Sequence, residues 1–201
     1  MSRPRQSWPT FWIVIAIVAA IVPYTYVRWH FRKPSIGYQP YHDIRDRANT
    51  QRLLSAGFQR IALDAERPAE GLSKTGSAII TSARGGLPPA LDETLVVKPV
   101  LPSGFSSVTA AGTSSLMFAY AIDFTCTLSD NKQELSDVYL YAREGQLYVV
   151  PSFERLTGEL LSRNRELGLR VKVPAGSLKP GSYVVTLIGG HASKTWSLLV
   201  K

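Results

Sequence analysis

The chain has 201 residues, 45% of them apolar, and a formal net charge of +8 from 23 Lys+Arg against 15 Asp+Glu. That length has room for one segment plus one domain. Residues 1–50 carry seven Lys/Arg against two Asp and residues 51–201 sixteen against thirteen Asp/Glu. The folded part is therefore nearly neutral and lacks the basic stripe of a nucleic-acid-binding domain, and the lone Cys126 excludes a disulfide-stapled fold.

Residues 1–10 form a short basic tail with Arg3 and Arg5. From Ser7 to Val27 there is no charged residue, and Phe11–Val22 is apolar without a break. A helix of that length reaches roughly 30 Å at about 1.5 Å per residue, the thickness of a hydrocarbon core. The spacing predicts a single transmembrane helix over residues 11–29. Trp8, Trp12, Tyr24, Tyr26 and Trp29 are placed as an interfacial belt, and Arg28, Arg32 and Lys33 reach the headgroups beyond it. Membrane lipid is thus the first expected partner. Phe11–Ala20 has the length of a signal-peptide core, but aromatics and cations follow it instead of a mature start. A buried core helix would not need the aromatic belt. The positive-inside count is nearly balanced between the two flanks and leans slightly toward a cytoplasmic C-terminus. A signal-anchor with a basic tail translocates a large following domain, so the expectation is a single-pass protein of the inner (cell) membrane with its C-terminal domain extracytoplasmic, that is, periplasmic.

Residues 30–57 read as a juxtamembrane arm with an amphipathic helix. Pro40 suits its first position, Asp43 and Asp46 its positive end, and Gly57 its stop. The candidate partner-binding residues of this arm are Tyr38, Tyr41, Ile44, Arg45, Leu53 and Leu54.

Residues 58–201 read as a β-sandwich domain. Strand signals fall on "FQRIALDAE", "SAIITSA" and "ETLVVKPVLP", where Pro99 demotes the last to an edge. "MFAYAIDFTCTL" is the most apolar strand; Phe118, Tyr120, Ile122, Phe124 and Cys126 form its core face, opposite Met117 and Asp123. Val138–Ala142 and Leu147–Val150 flank a hairpin turn at Arg143–Gln146. The 154–168 segment suits a short helix or a long loop. The end reads strand, turn, strand, turn, strand, with turns at Lys179-Pro180-Gly181 and Gly189-Gly190. Spacing near ten residues predicts a mainly β fold, an antiparallel immunoglobulin-like (Ig-like) sandwich.

No chemistry-bearing pattern stands out. His30, His42 and His191 have no partner at metal-ligand spacing, and Met117 and Cys126, nine residues apart in one strand, point to opposite faces. There is no G-x-S-x-G and no S-x-x-K; "SGFSS" and "GTSS" read as loops and "SARGG" as a turn. Asp64 and Glu66 share a strand face and Asp92 and Glu93 are adjacent, as in solvated edges. Trp196 shares the side of Leu198 and Val200, a core position. The expectation is a non-catalytic accessory or structural subunit, or an assembly factor, of a bacterial membrane protein complex such as a respiratory or electron-transport complex. No catalytic, cofactor or metal residue and no nucleic-acid partner is expected. The alternative is a membrane-anchored binding module for a soluble metal, glycan or lipid, with Tyr139, Tyr141 and Tyr148 lining one face.

Overall fold

The computed structural model describes residues 10–30, 40–68, 71–72, 76–156 and 164–201. The chain divides into two compact units, Met1–Pro40 and Tyr41–Lys201.

The first unit holds helix α1, Thr10–His30, with Pro23 inside it. Its described apolar side chains are exposed, Phe11 at 71% and Ile21 at 56% among them. Among the described residues no helix is long and apolar enough to cross a membrane, so the expected span is not supported at this level. Ile13, Ala16 and Val27, which complete the apolar run in the sequence, have side chains outside the described set.

Helix α2, Pro40–Ser55, starts at the expected proline. It ends in a Schellman motif: Phe58 N–H donates to the Leu53 carbonyl at 2.8 Å and Gly57 N–H to the Leu54 carbonyl at 3.0 Å. Gly57 has φ +79°, the left-handed turn that glycine enters without strain. Leu53 and Phe58 meet in the hydrophobic contact that accompanies this cap. Thus α2 belongs to the same unit as the strands, and its inward residue is Leu53, 1% exposed, while Leu54 is 65% exposed.

The strands are β1 (Gln59–Glu66), β2 (Thr81–Arg84), β3 (Gly104–Ala110), β4 (Thr113–Ser114), β5 (Tyr120–Thr127), β6 (Gln133–Arg143), β7 (Gln146–Arg155), β8 (Glu166–Val173), β9 (Gly181–Leu187) and β10 (Ala192–Val200), with a short helix α3 at Pro89–Thr94. The fold is mainly β. Among the described residues the strands form one curled sheet of order β2-β10-β9-β7-β6-β1-β8-β5-β3, with β4 on β10. β1 makes the curl. Its first half pairs with β6 and its second half with β8, so one strand serves both layers. The segments flanking β3 return to β10 and the turn before it: Gly190 N–H donates to the Pro102 carbonyl at 2.7 Å and Leu199 N–H to the Gly112 carbonyl at 2.9 Å. Beside this seam a Cβ on Gly85 would run into the backbone of His191 and Ala192, so only glycine fits.

The expected antiparallel arrangement is corrected at two pairings. β7 pairs with β9 in parallel, and β10 with β4. A parallel pair needs a crossover; here β8, lying in the facing layer, carries the chain from β7 back to β9. Two further expectations change. "ETLVV" is not a strand: Pro88 and Pro89 start α3, which buries Leu91, and the following strap makes one bridge, Val100 to Phe153. "SGFSS", read as loop, supplies Gly104–Ser107 of β3; pairing with β5 outweighs its serine content.

The hairpin is where it was expected, with a two-residue turn at Glu144-Gly145, φ 48° and 78°. Its strands are longer than expected. β7 passes through Pro151, which stays in register with Val138 of β6, because β9 pairs with β7 only as far as Val149 and leaves no ladder on that side to lose. Ser136 sits at a bulge between Leu135 and Asp137, which breaks the alternation of β6. Of the 154–168 segment, β7 takes the start and β8 the end; residues 157–163 lie outside the described residues.

The main core fills the curl. Ile122, Phe124, Val149, Val171 and Leu187 are fully buried there, and Trp196 at 3% joins Leu198 and Val200 as expected. A second, smaller cluster lies on the outer face of the sheet, where α2, α3 and the strap cover Tyr141, Val150 and Ile188.

Candidate functional site

Alternation along β6 sends Val138 and Leu140 into the main core and Tyr139 and Tyr141 to the outer face. The ladder sets Tyr141 opposite Tyr148 and Tyr139 opposite Val150. The three tyrosines therefore share the face that carries α2, but they do not form one site. Tyr139 and Tyr141 floor a cavity of about 350 Å³ between α2 and the strap. Tyr148 lines a separate hollow with Phe58 and Arg143, and its hydroxyl donates to Gln146 Oε1 at 2.6 Å.

The larger cavity is walled by Arg45 and Asn49 from α2, Arg60 from β1, and Val97–Val100. Asn49 Oδ1 accepts the Val96 N–H at 3.2 Å and so holds the strap to the helix. The Arg60 guanidinium lies 4.0 Å from the centre of the Tyr139 ring, a cation–π contact. Asp137 and Glu154 line the far end of the cavity, and Ser136 Oγ bonds Glu154 at 2.7 Å. Guanidinium and phenol groups over an aromatic floor can hold a polar ligand. Among the described residues no group of three His, Cys, Asp or Glu is placed to hold a metal ion.

Burial pushes the Tyr141 phenol up to about 12, against the pull of Arg60. Burial likewise pushes Tyr120 up to about 12, although Trp196 Nε1 donates to its hydroxyl at 3.0 Å, and the Cys126 thiol up to about 11. All three favour the neutral form in the folded state. Their contribution is intact below the ordinary thiol value of 9.0 and is lost as pH rises from there toward 12. Two consequences are expected. Part of the tyrosinate absorbance should appear only near pH 12, and Cys126 should resist alkylation at pH 8 until denaturant is added. Prompt labelling of the native chain would contradict this burial.

The residues singled out from sequence fall in different places. Trp12, Tyr24 and Tyr26 are exposed on α1. Arg28 and Trp29 are in α1, and Tyr41 and Ile44 in α2, with side chains outside the described set; Trp8, Arg32, Lys33 and Tyr38 lie outside the described residues altogether. Arg45 lines the cavity, Leu53 is core and Leu54 is surface. Glu66 pairs with Lys172 at 2.8 Å and Asp92 with Lys98 at 2.7 Å. Arg60 and Asn49 were missed, because nothing local marks an outward arginine or a helix asparagine as cavity-lining. Asp123 was missed as a buried group, although a charge in the most apolar strand was a legible signal. It is 4% exposed and bonds Arg170 through both carboxylate oxygens at 2.8 Å.

No family model matches the chain, and no curated protein or solved structure matches it.

Proposed function

We propose that the chain is a non-catalytic, single-pass membrane protein whose β domain acts as an accessory subunit or assembly factor of a bacterial inner-membrane protein complex, a respiratory or electron-transport complex being the leading class. The observation that carries the reading is α1. Its 21 residues correspond to about 31 Å, and its described side chains from Phe11 to Val22 are exposed and apolar. In water such a helix would present a hydrophobic surface that monomeric soluble proteins rarely tolerate. A lipid environment accounts for it, with Trp12, Tyr24, Tyr26 and Trp29 at the interface and the domain outside the cytoplasm. The outer face of α2, with Leu54 exposed, offers a partner an apolar anchor.

Extraction of the native membrane in gentle detergent tests the reading, with the tagged chain followed by size and by mass spectrometry of co-migrating proteins. Co-migration with a large complex is expected, and Leu54→Glu should weaken it while the domain stays folded. Deleting the whole arm is a poorer test, since Leu53 belongs to the core. A free monomer at the mass of the chain plus detergent would overturn the accessory role. The Tyr139–Tyr141–Arg60 cavity favours a second reading, a membrane-anchored binding module for a small polar ligand.

A further inference from the structure

The loop before β5 was expected to send Phe118 into the core and does the opposite. Met117 is 84% exposed and Phe118 73% exposed, side by side. The loop is built to hold them out. Leu116, between β4 and β5, packs against the main core. Its N–H donates to the Lys201 carbonyl at 3.0 Å, and its carbonyl accepts the Gly176 N–H at 3.0 Å. The Met117 N–H donates to Ser115 Oγ at 3.3 Å. The backbone on one side of the two side chains is thus tied to β10 and to the β8–β9 loop, so their exposure is not that of a loose end. Gly176, Leu178 and Pro174 of the β8–β9 loop stand beside Leu116 and Phe118. Neither this loop nor the Met117 loop contains an acid, while Lys179 and Lys201, both exposed, border them.

Two adjacent large apolar side chains on a braced, acid-free tip with a cationic rim fit the headgroup–acyl boundary of an anionic bilayer. Apolar side chains bury there and lysines stay with the phosphates. The geometry points to a second membrane contact: the tip formed by Met117 and Phe118 inserts shallowly into the lipid surface, with Lys179 and Lys201 on the headgroups. The assignment rests on the membrane-anchored reading for the nearness of a bilayer, since α1 holds the domain beside one. Its physical support in the tip residues is separate.

The test uses the full chain with Ala119→Cys, an exposed position next to the tip, carrying a polarity-sensitive dye. Cys126 is buried, and the unsubstituted chain provides the control for its labelling. In vesicles of zwitterionic lipid with about one-third anionic lipid, the expected result is a blue-shifted emission shielded from iodide and quenched by lipid-borne spin labels. Met117→Ser/Phe118→Ser should return the emission to its water-like value without changing the thermal melt. A water-like dye in vesicles overturns the tip assignment, whether or not the chain resists an alkaline carbonate wash. Shielding seen in native membranes but absent from pure lipid overturns it too, and gives the tip to a protein partner. Release of the chain by the wash overturns the anchor, and the dye still decides the tip.

Discussion

Phe124→Ala is expected to lower the unfolding free energy of the β domain by about 3–5 kcal/mol, the range for deleting a fully buried aromatic ring. Phe124 is fully buried at the middle of β5, with β3 on one side and β8 on the other. Its ring meets Phe105 edge-on, with centroids 5.6 Å apart and planes at 88°. The neighbours that would have to close the void lie on paired strands whose backbones cannot move independently, so little relaxation is available. Domains of this size hold on the order of 5–15 kcal/mol in all. The substitution should therefore move the urea midpoint far down. Labelling of Cys126, two residues along the same face and buried in the native state, reports the opening. A midpoint unchanged from the parent chain would show that the core does not depend on this ring.

The second large effect concerns the buried ion pair of β5 and β8, and it is asymmetric. Asp123 is 5% exposed in its side chain and Arg170 is 29% exposed. Arg170→Met deprives a buried carboxylate of its guanidinium, and removing one partner of a buried pair costs about 3–5 kcal/mol. The partial exposure of Arg170 places the expected loss near the bottom of that range. Asp123→Asn leaves a guanidinium that can turn to water and should cost less, about 1–2 kcal/mol. The double variant Asp123→Leu/Arg170→Met should recover much of the loss of Arg170→Met, since no charge is left behind. Denaturation midpoints of the three variants check this ordering. Equal losses for the two single variants would mean that the pair is not desolvated as its burial implies.

How much of this was legible in the sequence depends on the range over which each feature is set. The limits of α2 are local: Pro40 opens the helix and Gly57, at φ +79°, closes it. The hairpin is local as well, since Gly145 takes a positive φ that suits a two-residue turn. The inward set Tyr120, Ile122, Phe124 and Cys126 follows from a side-chain period of two, which no partner can change. The Tyr139 and Tyr141 face was readable for the same reason, while Arg60 and Asn49 were not.

Other features are competitions between segments far apart in the chain. Periodicity states which face of a strand is apolar, but not which strand will lie beside it. The parallel pairing of β7 with β9 arises because β8 is claimed by β5 and β1 in the facing layer. Phe118 is outside although its parity matches the core set, because Leu116 is drawn to the core and the chain turns between them before β5 begins. Leu53 is buried and Leu54 exposed because the Schellman turn aims Leu53 at Phe58. Asp123 can occupy an apolar strand because Arg170, 47 residues away, arrives opposite it in the ladder. Local stereochemistry thus settles turns, caps and faces within a few residues. Neighbours, burial of charge and the choice of exposed apolar residues depend on which distant segments gain most by pairing, and that balance exists only in the assembled fold.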